Sequence, residues 1–435
     1  MPDDSSQGLF ALSEVPDGWD EVALDDLLIA RDVRAATPEL RGLPVLSLTK
    51  TRGLILQSER FAYRVAREDV SDYKVVRAGW LAYNPYVIWE GAIHVLRTPA
   101  AGLVSPVYEI WEPREGIDPL FIDQLVKAAW MLAMFHRLST GAVRRRRSIK
   151  KTDFQRIGVA LPPPDERELI VKALDTTRKT VDAARGSLAA AEGFKRSVSV
   201  HLVRYGDTPH RAVPYTSVVE SEIGPVRADR KVVELGDLLR EPLRNGHSAR
   251  ESPDGNGIPT LRLTAVTKDD FSRRNIKMTQ ADPSRVKNLW LQRGDIFIER
   301  ANTRELVGTS AVYEGDADFA IFPDLLVRAR VDEARADSKY VAEALMLPEV
   351  RTYFSTSAKG TADSMPKIDQ TVISRALIPL PEPDEQRRVA EAIRTADRRV
   401  VSERQYLDAI ASLEESLRDQ LLSGTVRLTP TDDFS

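Results

Sequence analysis

The chain has 435 residues, enough for two or three domains with hydrophobic cores, and its net charge of −3 means that nucleic-acid binding must come from local basic clusters. It contains no cysteine, and its five histidines lack ligand spacing, which excludes disulfides and thiolate sites and predicts no metal centre. No apolar run reaches the roughly 18 residues of a membrane span, and the first seven residues do not resemble a signal peptide, so we expect a cytoplasmic protein that enters no membrane.

The N-terminal part, residues 1–160, has the pattern of a mixed α/β domain. Short β-branched and aromatic runs bounded by Gly or Pro predict strands at 45–48, 80–83 and 104–111. A stretch with helical periodicity follows over 120–137. We therefore expect a first globular domain that ends near residue 160.

Residues 161–205 are predicted to form one long helix. Proline next to acidic residues at 164–166 is a helix start signal. Apolar residues then recur with a seven-residue period, which is typical of a helix that pairs in a coiled coil. The pairing positions include Leu174, Val181, Leu188 and Leu202.

The second half, residues 206–435, repeats this plan. A linker at 207–230 leads into a second domain that ends at residue 382. This domain has predicted strands at 260–263, 296–298 and 324–331 and a helical stretch at 339–355. A second long helix and the C-terminal tail occupy 383–435. Its pairing positions, each 219 residues after one in the first helix, are Ile393, Val400, Leu407 and Leu421.

The repeat defines the expected fold class, which is α+β. Two tandem mixed α/β domains are separated by two long helices. The first helix leaves domain one and reaches domain two, whereas the second begins at the end of domain two. A coiled coil between them must therefore be antiparallel, with a pseudo-two-fold axis. About 38 residues of helix span roughly 57 Å, which makes the pair a rigid spacer.

A basic loop is the first candidate binding feature. Between residues 137 and 151 there are seven basic residues and no acid, which suits phosphates or guanine edges better than a plain solvated loop. The residues singled out are Arg144, Arg145, Arg146, Arg147, Lys150 and Lys151. The equivalent loop of the second half, 359–367, supplies Lys359, Ser364 and Lys367.

A second candidate follows the strand at 296–298. Arg and Asn are the side chains that pair bidentately with guanine and adenine, and this loop offers Arg300, Asn302, Thr303 and Arg304. Its counterpart in the first half offers Tyr83, Asn84 and Tyr86. The tetrapeptide Tyr-Asn-Pro-Tyr at 83–86 superficially resembles the Asn-Pro-Pro-Tyr of adenine methyltransferases. It lacks the second proline, however, and no Gly-rich cofactor loop precedes it. Asn84 and Tyr86 also suit a turn and packing.

Catalytic motifs do not emerge from the sequence. It has no Gly-x-x-x-x-Gly-Lys-Ser/Thr loop, no Gly-x-Ser-x-Gly elbow and no paired histidines. We therefore expect a protein without catalytic activity of its own.

The duplicated plan resembles the specificity subunits of type I restriction-modification systems. The resemblance is carried by the repeat, by the strand and loop at 294–303, by the Gly loops near 141 and 360, and by the entry to the last helix at 378–386. It implies two target-recognition domains, each reading half of a split site in double-stranded DNA, on a helical spacer. It further implies docking of two modification subunits, which bring S-adenosylmethionine, and of restriction subunits with ATP and magnesium. This chain itself is expected to hold no cofactor.

Two other classes remain open. A coiled-coil scaffold that binds no DNA explains the paired helices and the net charge, but it leaves the two basic Gly loops unexplained. The other class is a specificity module of a related phage-defence methyltransferase, or an unrecognised nuclease. The sequence does not reveal which bases a DNA reader would recognise, and methylome sequencing of cells that express the complete system would show them.

Overall fold

The computed structural model describes residues 9–10, 12, 14–61, 66–141, 147–207, 218–360 and 365–429. The chain forms two compact units. Unit 1 comprises residues 1–186 and 405–435, and unit 2 comprises residues 187–404. Each unit mixes helices with antiparallel sheet, so the predicted α+β class is confirmed.

The strands of unit 1 are short and mostly antiparallel: β1 Leu9–Phe10, β2 Asp20–Ala23, β3 Leu28–Arg31, β4 Leu46–Leu48, β5 Leu54–Leu56, β6 Lys74–Arg77, β7 Leu81–Tyr83, β8 Ile93–Val95, β9 Ala101–Val104, β10 Glu109–Pro113 and β11 Ile157–Leu161. Its helices are α1 Leu24–Leu27, α2 Pro38–Arg41, α3 Gln57–Arg60, α4 Pro119–Leu125, α5 Ala129–Leu138, α6 Lys151–Gln155 and α7 Pro164–Tyr205, the last of which continues into unit 2. A 3₁₀ helix covers Ile88–Glu90.

Unit 2 contains β12 Val218–Ser221, β13 Gly224–Arg227, β14 Lys231–Glu234, β15 Arg244–Asn245, β16 Ile258–Leu261, β17 Ile276–Thr279, β18 Ile296–Glu299, β19 Ser310–Val312, β20 Leu326–Ala329 and β21 Leu377–Leu380. Its helices are α8 Thr264–Thr267, α9 Pro283–Val286, α10 Ser338–Ala344, α11 Pro348–Ser357, α12 Gln370–Ser374 and α13 Pro383–Leu422, whose last turns belong to unit 1. Short 3₁₀ helices cover Leu235–Leu238 and Arg273–Asn275.

Both units share one sheet topology, which is the structural form of the sequence repeat. The four-stranded sheet has the order β3-β10-β7-β8 in unit 1 and β15-β20-β18-β19 in unit 2. The pairs β4–β5 and β2–β11 likewise correspond to β16–β17 and β14–β21. The central strands β7 and β18 are buried along their whole length, which explains why their sequences are apolar except for Glu299 at the end of β18.

Some predicted elements divide into two. The helical stretch at 120–137 is α4 followed by α5, and its counterpart at 339–355 is α10 followed by α11, which begins with Pro348. The predicted strand at 104–111 contains the end of β9 and the start of β10, because the chain turns at 105–108. Part of the predicted linker forms the hairpin β12–β13, and residues 208–217 lie outside the described ranges.

The long helices follow the predicted seven-residue seam. Buried side chains are Leu174, Val181, Ile393, Val400 and Leu421, and half-buried ones are Leu188, Leu202 and Leu407. Contacts in unit 2 run antiparallel. Lys195 Nζ lies 2.5 Å from Asp397 Oδ1, and Asp207 Oδ2 lies 3.1 Å from Arg388 Nε. The residue that comes later after α7 begins thus pairs with the residue that comes earlier in α13. The antiparallel prediction is therefore confirmed for this pair.

The predicted domain limits lie close to the helix starts at Pro164 and Pro383, while the compact units divide α7 after residue 186 and α13 after residue 404. In the described part of the chain, no helix combines the length and the apolarity that crossing a membrane requires.

Candidate nucleic-acid interface

Two loops of unit 2 lie side by side. The carbonyl of Arg300, directly after β18, accepts a hydrogen bond from the amide of Ile368 at 2.8 Å. The amide of Asn302 donates to the carbonyl of Pro366 at 3.3 Å. The structure thus brings together two candidate clusters that the sequence places about 60 residues apart.

The loop after β18 has a closed base. The amide of Gly308 donates to the carbonyl of Glu299 at 2.7 Å, and the amide of Glu299 donates to Thr309 at 2.9 Å. Gly308 has φ +81°, and a Cβ there would lie 2.4 Å from the ring of Phe354, so only glycine closes this turn. The loop tip therefore stands on a fixed strand end.

The side chains of the loop after β18 differ in exposure. Thr303 and Arg304 are exposed, whereas Arg300 and Asn302 are half-buried. Arg304 Nη1 donates to the carbonyl of Ser355 at 3.3 Å, which ties the loop to α11.

In the adjoining loop, Lys359 and Lys367 are both exposed. They exchange two backbone hydrogen bonds of 2.9 Å, so the two residues lie directly opposite each other. Ser364 lies outside the described residues.

Unit 1 contains the same loop pair at the equivalent place. The amide of Ile149 donates to the carbonyl of Pro85 at 3.2 Å, as Ile368 does to Arg300. Thr140 and Ser148 exchange backbone hydrogen bonds of 3.1 and 3.0 Å, as Lys359 and Lys367 do. The arrangement is a property of the repeated domain and does not depend on the loop sequence.

The loop after β7 is organised by an Asx turn. Asn84 Oδ1 accepts from the amide of Tyr86 at 3.1 Å, which leaves the Tyr86 side chain 43% exposed. Lys150 and Lys151, at the start of α6, are exposed as well. Lys151 Nζ lies 5.3 Å from the ring centroid of Trp111.

Tyr83 has a different position from its neighbours. Its side chain is 0% exposed, and its ring centroid lies 4.7 Å from that of Phe154 in α6. Burial raises the pKa of its hydroxyl, and the nearby Glu109 adds to that shift. In this structure Tyr83 packs beneath the loop, in the core.

The Arg147 side chain is bound to the end of α5 and the residue that follows it. Its guanidinium donates to the carbonyls of His136 (3.2 Å) and Ser139 (2.9 Å) and lies 5.9 Å from the ring centroid of Trp89. The other three arginines, Arg144, Arg145 and Arg146, lie outside the described residues. Arg147 therefore has a structural contribution that its neighbours need not share.

Glu299 is the residue that the sequence pattern did not single out. It ends β18, is 0% exposed and contacts Asn302 and Thr267. Burial raises its pKa above the ordinary value for glutamate. An available signal was a carboxylate that ends an otherwise apolar strand directly before a candidate reading loop.

Unit 2 also contains a dense charged cluster at the long helices. Carboxylate oxygens of Asp269, Glu343 and Asp397 lie within 4.8 Å of one another. The ammonium groups of Lys339 and Lys195 lie among them, with Lys339 Nζ 2.6 Å from Asp397 and 3.0 Å from Glu343. Although burial alone lowers it, the three carboxylates raise the pKa of Lys339. Two lysines occupy the place that a cation would take, so this is an ion-pair cluster.

Comparison with known proteins gives consistent relatives. No protein-family model matches the chain. The chain is 22% identical to the type I restriction enzyme MjaVIII specificity subunit of Methanocaldococcus jannaschii, over 95% of this chain and 94% of that one. It is 25% identical to the EcoKI specificity subunit of Escherichia coli strain K12, over 73% of this chain and 67% of the other. The putative MjaX specificity subunit of Methanocaldococcus jannaschii is 26% identical over 47% of this chain, and the match spans 48% of that relative.

One solved structure supports the fold. A chain from a study of complex assembly and conformational transition of the type I R-M system aligns with a TM-score of 0.52 and 15% identity, over 95% of this chain and 100% of its own. At that identity the likeness establishes the architecture alone. By sequence over nearly its whole length, and by its fold, the chain resembles the specificity subunits of type I restriction enzymes, as its duplicated plan predicts.

Proposed function

We propose that this chain is the DNA-reading subunit of a type I restriction-modification complex and that each loop pair reads one half of a bipartite site. The observation that carries this proposal is the recurrence of one loop arrangement in both units with different side chains. Asn84 and Tyr86 stand where Glu299 and Ala301 stand in the other unit. A repeated scaffold with unlike loops suits the reading of two unlike half-sites.

The side chains divide naturally between positioning and reading. Exposed lysines such as Lys150, Lys359 and Lys367 suit phosphate oxygens, which fix register without carrying sequence information. Arg300 and Asn302 are of the types that pair with guanine and adenine edges in the major groove. Two weak readers on one spacer gain effective concentration, so neither half-site has to be bound tightly by itself.

The long helices offer surfaces for partner subunits. Among the large hydrophobic side chains described, the three most exposed lie on these helices: Phe194 at 65%, Leu413 at 57% and Tyr406 at 52%. Exposed aromatic side chains are typical anchors of protein interfaces, and the exposed leucine adds apolar surface to the same helices. Docking of two modification subunits there would supply S-adenosylmethionine, and restriction subunits would supply ATP and magnesium. The assembly would act on DNA in the cytoplasm.

A test of reading uses the complete system in cells. Unit 1 variants (Tyr86→Ala, Lys150→Ala) and unit 2 variants (Arg300→Ala, Asn302→Ala) are compared by methylome sequencing, with Val219→Ala in the hairpin β12–β13 as control. We expect Tyr86→Ala, Arg300→Ala and Asn302→Ala each to change the bases read in one half of the motif only, whereas Lys150→Ala, which removes a phosphate contact, should lower methylation without changing the motif. Changes in both halves from variants of a single unit would contradict one reader per unit.

A test of docking uses helix variants. Phe194→Asp and Leu413→Asp should abolish co-purification with the modification subunit while circular dichroism of the chain stays unchanged, and the control Val219→Asp should retain the subunit. Purified chain alone should transfer no methyl group from labelled S-adenosylmethionine. Transfer by the chain without a partner would rule out a purely reading role, and loss of subunit binding without any effect on DNA binding by the chain would separate docking from reading.

A further inference from the structure

We infer that Glu299 is a positioning residue that fixes the side-chain amide of Asn302 in the orientation required to read one base. This role rests on the proposed function, because it presupposes that the loop at 300–304 meets DNA.

The backbone at Glu299 has little freedom. Glu299 pairs with Leu326 of β20, and its amide and carbonyl are both bonded to the closing turn at Gly308 and Thr309. β18 lies inside the four-stranded sheet, between β20 and β19. The start of the loop is thus attached to the sheet by backbone hydrogen bonds on both sides.

The side chain of Glu299 connects the sheet to the loop. One carboxylate oxygen accepts a hydrogen bond from Thr267 Oγ1 at 2.5 Å, and the other accepts from Asn302 Nδ2 at 2.5 Å. The carboxylate is 0% exposed, so replacing Asn302 with water as its partner would require the loop to open. A buried acceptor that loses its donor pays its full desolvation cost, which favours the observed contact.

The far side of the loop is anchored as well. Arg351 Nη2 donates to the carbonyl of Glu305 at 2.8 Å, and Arg304 Nη1 donates to that of Ser355. Both contacts tie the loop to α11 and leave its path defined without Glu299. Loss of the carboxylate should therefore free the Asn302 side chain more than it disturbs the backbone.

The contacts of Asn302 determine which edge of its amide remains open. Among the described residues, its amide makes two contacts: Nδ2 donates to Glu299, and Oδ1 accepts from the amide of Thr303 at 2.8 Å. A side-chain amide has two N–H donors and a carbonyl oxygen with two lone pairs. One donor and one lone pair therefore remain, which is the pair that asparagine uses to read N6 and N7 of adenine. Without Glu299, the amide can rotate and present other combinations.

Glutamine can replace Glu299 in this role. Its carbonyl oxygen would accept from Asn302, and its NH₂ would donate to Thr267, whose hydroxyl already lies 3.3 Å from the carbonyl of Leu263. Burial raises the pKa of Glu299, which means that the site tolerates a neutral group. Alanine offers neither contact. The pair Glu299→Gln and Glu299→Ala therefore separates the hydrogen bond from the charge.

Unit 1 has an independent parallel at the equivalent position. Asn84 follows β7 as Glu299 ends β18, and its amide donates to Ala92 at 3.1 Å as that of Glu299 does to Thr309. Its side chain also holds the loop, by accepting from the amide of Tyr86. In both units a polar side chain at the end of the central strand organises the loop that follows.

The experiment compares Asn302→Ala, Glu299→Ala, Glu299→Gln and the double variant Glu299→Ala/Asn302→Ala in the complete complex. Methylome sequencing gives the motif, and titration with duplexes that vary one base of the affected half-site gives the discrimination. We expect Glu299→Ala to relax the same single position as Asn302→Ala, with a loss of discrimination of about tenfold to a hundredfold. Glu299→Gln should retain discrimination within about twofold.

The double variant is the decisive arm. If Glu299 acts through Asn302, the double variant should discriminate no worse than Asn302→Ala, because the two effects are not additive. Relaxation at a different position, or a uniform loss of affinity with the motif intact, would overturn the inference and leave Glu299 a structural residue. If Asn302→Ala itself leaves the motif unchanged, the proposed reading by this loop fails instead. The two failures are thus distinguishable.

Discussion

Arg427 and Glu166, which are 261 positions apart in the chain, form a two-pronged ion pair at the start of α7. Arg427 Nε lies 2.7 Å from one carboxylate oxygen, and Nη2 lies 2.8 Å from the other, which also accepts from the indole of Trp19 at 3.0 Å. Although burial raises it, these donors lower the pKa of Glu166 overall. The C-terminal tail is therefore part of unit 1.

This ion pair should stabilise unit 1 measurably. The Glu166 side chain is 7% exposed and that of Arg427 is 38%, so Arg427→Ala should lower the free energy of unfolding by about 1–2 kcal/mol in urea titrations. The control Arg398→Ala breaks an ion pair with Glu391 that is 63% and 60% exposed and should cost less than about 0.5 kcal/mol. Equal effects of the two variants would show that the tail is not held by this contact.

Gln386 should be required for the stability of unit 2. It is 0% exposed, accepts from the amide of Asp337 at 2.9 Å, and donates to the carbonyls of Arg335 (3.2 Å) and Pro381 (2.8 Å). Gln386→Ala leaves these groups unpaired and should cost about 2–3 kcal/mol by thermal or urea unfolding.

The control for this prediction is Gln405→Ala, at an exposed position of α13. It should change stability by less than about 0.5 kcal/mol. A small effect of Gln386→Ala would mean that water takes over its contacts.

His94 should make unit 1 sensitive to mild acid. Burial, reinforced by Lys127, lowers the pKa of His94 from 6.5 to about 4. Between pH 6.5 and pH 4, His94 is protonated in the unfolded chain but neutral in the folded chain. The free energy of unfolding therefore falls as the pH drops through this range. The expected loss between pH 7.5 and 5 is about 2 kcal/mol.

Unfolding titrations of His94→Gln at the two pH values test this contribution. The variant should lose most of the difference in stability, whereas His247→Gln, in unit 2, should leave it in place. An unchanged difference in His94→Gln would assign the acid sensitivity to other groups.

The basic loop should contribute phosphate contacts. Replacing Arg144, Arg145 and Arg146 with alanine should weaken DNA binding by the complex and reduce the slope of log affinity against log salt by about 1–3, since each lost phosphate contact removes about 0.9. Arg147 is left intact because its contacts to His136 and Ser139 are structural.

Removing three exposed cations of α7, in Lys172→Ala/Lys179→Ala/Arg185→Ala, gives a control with the same change in net charge. Its salt dependence should match that of the unmodified complex. The same reduction in slope for both triples would indicate a long-range effect of net charge, and no reduction for either would favour a scaffold that does not bind DNA.

The helix pair should set the unread spacer between the half-sites. Four residues inserted after Leu188 and after Leu407, which are equivalent positions 219 apart, lengthen each helix by about 6 Å and rotate it by about 40°. That length is nearly two base-pair steps of 3.4 Å. We expect methylation of the same half-sites with a longer spacer. Altered half-sites with an unchanged spacer would show that the helices do not set the distance.

The long helices show how far a local pattern reaches. The helix starts at Pro164 and Pro383 and the buried seam at Leu174 and Ile393 follow from residues within a few turns of one another. Proline, acidic first turns and a seven-residue period act locally, so they can be recognised in the sequence alone. The repeat of the domains is legible for the same reason, since both copies keep the apolar runs that build the central strands.

The candidate interface depended on tertiary structure. Only the fold brings Arg300 next to Ile368, because a backbone contact across about 70 residues leaves no mark in either segment. Tyr83 ends a strand, and its burial depends on Phe154, which packs against its ring from a distant helix. The sequence by itself determined the two long helices, the central strands and their repetition, because those are short-range properties. Which side chains face outward, and which carboxylate holds a reading loop, depended on packing between distant segments.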